Sequence, residues 1–116
     1  IVDRKKDIII RGGENISCQE VEAAIYEHPA IAEACVFGLP DERMGELPGA
    51  VVYCHPGQSV DEAGLAEFLK GRIAAFKVPE KIWFEAENLP RLGTEKIDKV
   101  SLRAKYRKLW EQAVAA

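Results

Sequence analysis

The sequence predicts an α+β fold: an N-terminal two-stranded hairpin, a small and mainly antiparallel three-stranded sheet, and about three packed helices. Three observations carry this. Ile8-Ile9-Ile10 is a β-branched run that ends at Gly12-Gly13, a turn signal. Residues 31–37 and 50–54 are apolar runs of strand length, and the polar stretch between them has no helical period, so the two pair antiparallel. Apolar residues recur at helical spacing in three further segments, each preceded by a Ser or Asp able to cap it.

Residues 3–7, Asp-Arg-Lys-Lys-Asp, cannot bury themselves and read as a solvated linker feeding the hairpin. Gly12 and Gly13 permit positive φ and let something come close to the backbone. Ser17-Cys18-Gln19-Glu20 has the form of a capping box, hydroxyl and carboxylate each able to bond the other's backbone N–H. Val21, Ala24 and Ile25 then share a helical face, and Pro29 stops the helix. After residues 31–37 the chain turns at Gly38-Leu39-Pro40-Asp41, and residues 41–48 read as a polar loop with an exposed Met44. Residues 50–54 close at His55-Pro56-Gly57-Gln58. Ser59-Val60-Asp61-Glu62 has the capping-box form again, and its helix sets Leu65, Phe68, Leu69, Arg72 and Ile73 on one face. Phe76-Lys77-Val78-Pro79 breaks it, and residues 81–84 form a short aromatic strand. Residues 89–95 read as a loop. Asp98 caps a last helix whose apolar face carries Leu102, Tyr106, Leu109, Trp110 and Ala113.

With 116 residues the chain is long enough for one domain with one modest core. Its net charge of -3 is spread without a basic stripe, which argues against nucleic acid as a partner. No apolar run approaches the roughly 18 residues of a membrane span. The chain reads as a piece of a longer polypeptide. Cys18, Cys35 and Cys54 are widely spaced and each lies in an apolar segment; they read as buried hydrophobes in a reducing compartment, and the expected location is cytoplasmic. His28 and His55 each precede a proline and have no second ligand at metal spacing, so no metal site is expected. No nucleophile–base pair stands out, and the glycines lack the spacing of a triphosphate-binding loop. Lys96 is the residue of interest. Between a loop and a capped helix, it is either a solvated surface lysine or a mobile point charge for a phosphate or carboxylate.

Four motifs resolve that choice. Residues 4–16 with Glu20-Val21-Glu22, then Phe37-Gly38-Leu39-Pro40-Asp41-Glu42-Arg43 with Gly45-Glu46, then Phe76-Lys77-Val78-Pro79, and then Leu89-Pro90-Arg91 through Lys96 to Leu102-Arg103, occur in this order over nearly the whole chain. Together they resemble the C-terminal domain of the adenylate-forming superfamily, which includes acyl-CoA synthetases. The resemblance implies an ATP-dependent acyl-CoA ligase: a fatty or aryl acid and ATP, with Mg2+, give an acyl-adenylate, and CoA then displaces AMP; ATP and Mg2+ would be held mainly by an N-terminal domain. It implies a hinge over residues 1–7 with Lys6 as pivot and Arg4 reaching the nucleotide. Residues 8–116 would be a mobile domain rotating on an N-terminal adenylation domain of the same protein. Lys96 matches the adenylation lysine. Gly12, Gly13 and Glu14, with Met44, Phe76 and Lys77, match the face presented to CoA. It also implies Lys96 as a site of regulatory acetylation. This sequence has Glu95 where many relatives carry Gly, and Met44 and Val78 where some carry Trp and a basic residue. The fragment alone is expected to be inactive. The alternatives are a carrier-protein-loading or luciferase-like relative, or a non-catalytic α+β interaction module.

Overall fold

The computed structural model describes residues 7–93 and 96–115. Five strands form one sheet. β1 (Ile8–Arg11) and β2 (Glu14–Ser17) make the hairpin; β3 (Ile31–Asp41) and β4 (Gly45–Cys54) form the long central pair; β5 (Lys81–Glu85) completes it. Pairing is antiparallel throughout except that β5 runs parallel to β4. The hairpin joins the sheet where Arg11 sits opposite Gly45. Three α-helices pack on this frame: α1 (Cys18–Tyr26), α2 (Glu62–Lys70) and α3 (Lys99–Ala115).

Side chains alternate across the sheet as the pleat requires. Ala34 and Val36 of β3, Ala50 and Val52 of β4 and Ile82 of β5 share a core cluster with Val21 and Ile25 of α1 and Leu65 and Leu69 of α2. Cys35, Phe37, Leu39 and Val51 point the other way and pack with Leu89 and with Leu102 and Tyr106 of α3. A sheet covered on both faces explains why its central strands are continuous apolar runs rather than alternating ones.

Five details differ from the sequence expectations. β4 starts at Gly45, so the connection from β3 is three residues rather than the polar loop over residues 41–48 that the sequence suggests. Asp41 makes this tight turn by accepting the N–H groups of Arg43 (3.1 Å) and Met44 (2.8 Å), and Gly45 follows at φ +83°. The cap of α2 is Asp61, whose Oδ1 accepts from Gly64 N at 2.7 Å, and not Ser59. Glu62 is unavailable for a capping box because its carboxylate accepts the N–H of Ile82 in β5. α2 ends at Lys70, so Arg72 and Ile73 lie beyond it, and Arg72 turns back over the Phe68 ring to reach Glu27. In α3 the buried stripe runs at spacing four through Leu102 and Tyr106 to half-buried Trp110; Leu109 and Ala113 fall off it and are exposed. The α1 box forms by half: Ser17 Oγ accepts from Glu20 N, while the Glu20 carboxylate pairs with Lys77.

β3 is the outermost strand on its side of the sheet, and side chains occupy its free edge. Tyr26 Oη bonds both N–H and C=O of Ala34, and Glu22 accepts the N–H of Val36. Arg107 and Trp110 of α3 donate to the carbonyls of Gly38 and Pro40.

Candidate functional site

The hairpin turn is built as its two glycines require. Gly12 and Gly13 hold φ of +57° and +89°, both in the region where a side chain would be strained. The N–H of Gly12 donates to the carbonyl of Met44 at 2.8 Å, which ties the hairpin to the β3–β4 turn. Met44 is half-buried and not exposed, because its side chain lies over this turn: a Cβ on Gly12 would stand 2.7 Å from the methionine methyl. A Cβ on Gly13 would meet nothing within 4 Å. Beside them is a shallow depression of about 380 Å³ lined by Arg11, Asp41, Arg43, Met44 and Glu80. The Nε of Arg11 is buried there without a hydrogen-bond partner. Glu14 stands exposed at the start of β2, opposite Arg11.

Phe76 and Lys77 lie in a 3-10 turn (Ala75–Lys77) after α2 and are placed by other contacts. Phe76 is half-buried against the first core cluster, and Lys77 Nζ lies 2.9 Å from Glu20 of α1. The structure thus joins Gly12 to Met44 directly, while Lys77 is committed to a carboxylate.

Lys96 is exposed, and the segments on either side of its loop are tied together. The base is made by Arg91 bridging to Ile97, by Leu92 N–H donating to Lys96 O (2.9 Å) and by Asp98 N–H donating to Pro90 O (2.8 Å). Buried Glu33 of β3 anchors the approach: it accepts the N–H of Leu89 at 2.7 Å and pairs with the Arg91 guanidinium. Asp98 then caps α3, bonding both N–H and hydroxyl of Ser101. Lys96 lines an open cleft of about 540 Å³ together with Asp7, Glu22, Tyr26, Arg91 and Lys99. This cleft and the depression by the glycine turn share no lining residue. Arg4, Lys6 and Glu95 lie outside the described residues.

Under the cleft is an ionic group that no local pattern announces. Lys99 Nζ stands 3.2 Å from both Asp7 Oδ1 and Glu22 Oε2. Burial works against its charge, but Glu22, the Cys18 and Cys35 sulfurs and Asp7 outweigh this and hold its pKa above the ordinary lysine value. Burial pushes the thiols of Cys18 and Cys35 up to about 12, so neither is a nucleophile near neutral pH. Both are free, as is Cys54.

Residues 20–96 match the family described as the AMP-binding enzyme C-terminal domain. The chain belongs to that family. It is 47% identical over 106 residues to a medium-chain fatty-acid–CoA ligase of Escherichia coli, a match that covers 89% of this chain and 18% of the relative. Among solved structures, apo MatB from Rhodopseudomonas palustris superposes with a TM-score of 0.85 at 37% identity, over 95% of this chain and 22% of that one. The o-succinylbenzoate CoA synthetase of Bacillus subtilis, in complex with its acyl-adenylate intermediate, superposes with a TM-score of 0.79 at 39% identity, over 87% and 20%. This AMP-binding C-terminal domain spans about a fifth of the length of the curated relatives it matches. Relatives at comparable identity are named for a fatty acid and for 2-succinylbenzoate. Likeness in this domain therefore does not follow the acid.

The sequence motifs singled out the glycine turn, Met44 and Lys96, and the structure sets Met44 against Gly12. They missed Glu33 and the Asp7–Lys99–Glu22 group, whose members lie 56 to 92 residues apart from some of their partners. Glu33 had one signal: a lone carboxylate inside an apolar run, where it must find a partner. Among the described residues no three His, Cys, Asp or Glu side chains stand together as a metal site. No helix among them is long and apolar enough to cross a membrane.

Proposed function

We propose that this domain is the mobile C-terminal part of an ATP-dependent acyl-CoA ligase and serves both half-reactions by presenting two faces in turn. The observation that carries this is the separation of the faces: Lys96 lines one cleft, Arg11 and Met44 next to the glycine turn line another, and the two share no lining residue. In adenylation, Lys96 would bring its ammonium to the attacking carboxylate and the α-phosphate, where negative charge builds up. Preorganised charge of this kind is worth about 10² to 10³ in rate. Rotation about residues 1–7, with Lys6 as pivot, would then withdraw Lys96 and bring up Gly12–Gly13.

The glycine face suits the second step for a stated reason. The space over Gly13 is open, so an incoming pantetheine arm can lie against backbone. Met44 offers a soft apolar surface beside it. Lys77 would contribute to CoA phosphate binding only by exchanging Glu20 for it. Arg4 would reach the nucleotide near the hinge. The acid is chosen elsewhere in the protein, and so is the place of ATP's phosphates and Mg2+. Acetylation of Lys96 would remove the charge that adenylation needs; peptide mass spectrometry of the native protein checks it, and a consistently unmodified Lys96 counts against it.

The deciding experiment is Lys96→Ala in the full-length protein, followed by acid-dependent ATP–pyrophosphate exchange. Loss of exchange with retained conversion of supplied acyl-adenylate to the thioester supports the reading. Unimpaired exchange removes it.

A further inference from the structure

Lys99, the first residue of α3, lies where three parts of the domain meet. Only 23% of its side chain is exposed, and its Nζ is 3.2 Å from Asp7 ahead of β1 and 3.2 Å from Glu22 in α1. Glu22 is fixed in turn, because the same Oε2 accepts the N–H of Val36 at 2.9 Å. Neither half-reaction as proposed uses a cation here. Stability is a poor reason for it as well, since replacing a largely buried ion pair by apolar side chains is often neutral. Its location is more informative. Asp7 directly follows the proposed pivot at Lys6, and Lys99 stands three residues after Lys96. The intervening turn is held by Lys99 N–H donating to Ile97 O at 2.9 Å and Asp98 N–H donating to Pro90 O at 2.8 Å.

We infer that Lys99 is a positioning residue: its ammonium, gripped by Asp7 and Glu22, fastens the exit of the hinge to the base of the Lys96 loop. Rotation at the pivot is then carried to Lys96 directly rather than through the length of the hairpin and sheet. Without the clamp, the segment between pivot and β1 can twist while Lys96 lags. A small misplacement of a positioned charge is costly to a reaction of this kind. This inference rests on the assignment of Lys96 and of the hinge above.

The test uses the full-length protein and four variants: Lys99→Met, Asp7→Asn, their combination, and Lys96→Ala. Each single clamp variant should lower the kcat of pyrophosphate exchange about tenfold and leave KM for ATP and acid within about twofold. The double variant should be no worse than either single, since both remove the same contact. Lys99→Arg should recover most of the rate. A residue that only holds the fold would lower Tm and leave kcat per folded molecule and both KM values unchanged; that result, or additive losses in the double variant, overturns the inference. Asp7, whose side chain is 40% exposed, keeps the test decisive should Lys99→Met fail to fold. Lys96→Ala separates the two claims. If it abolishes exchange while the clamp variants keep full kcat, the clamp alone is wrong; if it exchanges normally, the assignment of Lys96 is wrong and the inference goes with it.

Discussion

At Gly12–Gly13 the domain offers bare backbone, whereas at Lys96 it offers a charge at the end of a long side chain. The glycine turn is rigid: both residues are held at positive φ, and Gly12 is bonded to Met44 across the β3–β4 turn. The lysine loop is held at its base through Glu33, Arg91 and two backbone bonds, and Lys96 is exposed. One face is defined by atoms that are missing, the other by atoms that can reach. Substitutions that add atoms should therefore break the first, and substitutions that remove them the second.

The largest effect should come from removing the reaching group. Lys96→Ala in the full-length protein should cost about 10² to 10³ in adenylation and leave thioester formation from supplied acyl-adenylate within a few-fold. Equal losses in both steps would erase the contrast. Next, the lysine loop should depend on what lies beneath α3. Leu102 is 2% exposed in the second core cluster, and Leu102→Ala should cost about 3 kcal/mol in chemical denaturation.

A smaller and more discriminating effect is expected at Gly13. Its Cβ position is open, so Gly13→Val disturbs no neighbour, and the backbone strain is about 1–2 kcal/mol. CoA-dependent turnover should fall about tenfold while pyrophosphate exchange falls far less, because the added atoms stand only where the second ligand passes. A parallel fall in both would show that the face is merely structural.

The smallest effect at working pH concerns the frame under Lys96. Cys18 and Cys35 ionise near 9.0 when free and are pushed up to about 12 in the fold. Their folded values are raised, so their contribution to stability is complete below pH 9 and is lost as pH climbs from there towards 12. Lys99 is also raised, from 10.5, and its contribution fades through the same upper range. Tm should be flat below pH 9 and decline above it, with a shallower decline in a Cys18→Ala, Cys35→Ala double variant.

What the sequence disclosed and what it withheld divide along one physical line. Features set by neighbours in the chain were legible: the Gly12–Gly13 turn, the Ser17 and Asp98 caps, the β3–β4 pairing. The start of β4 was not, because Asp41, Gly45 and Glu46 are polar or small and read as loop; only the fold shows that Glu46 takes the N–H of Ile10 and a contact from Arg107. The exposure of Leu109 was hidden because helical periodicity counts a face without knowing how far the sheet beneath it extends. Lys99, Glu22 and Asp7 are each ordinary surface residues by composition, and only the folded chain brings them together. For the reaction, motif spacing located the groups proposed to touch substrates, while the groups that hold them needed three dimensions.

The covered edge of β3 bears on how a domain that moved as proposed would avoid pairing with other chains. A domain that swings must repeatedly uncover surface that was pressed against a neighbour, and an open strand edge uncovered in this way would be a template for a second chain. Here Tyr26 already occupies the N–H and C=O of Ala34, Glu22 the N–H of Val36, and Arg107 and Trp110 the carbonyls of Gly38 and Pro40. Were the proposed rotation to expose this margin, another molecule would meet side chains already bonded to five of its backbone groups.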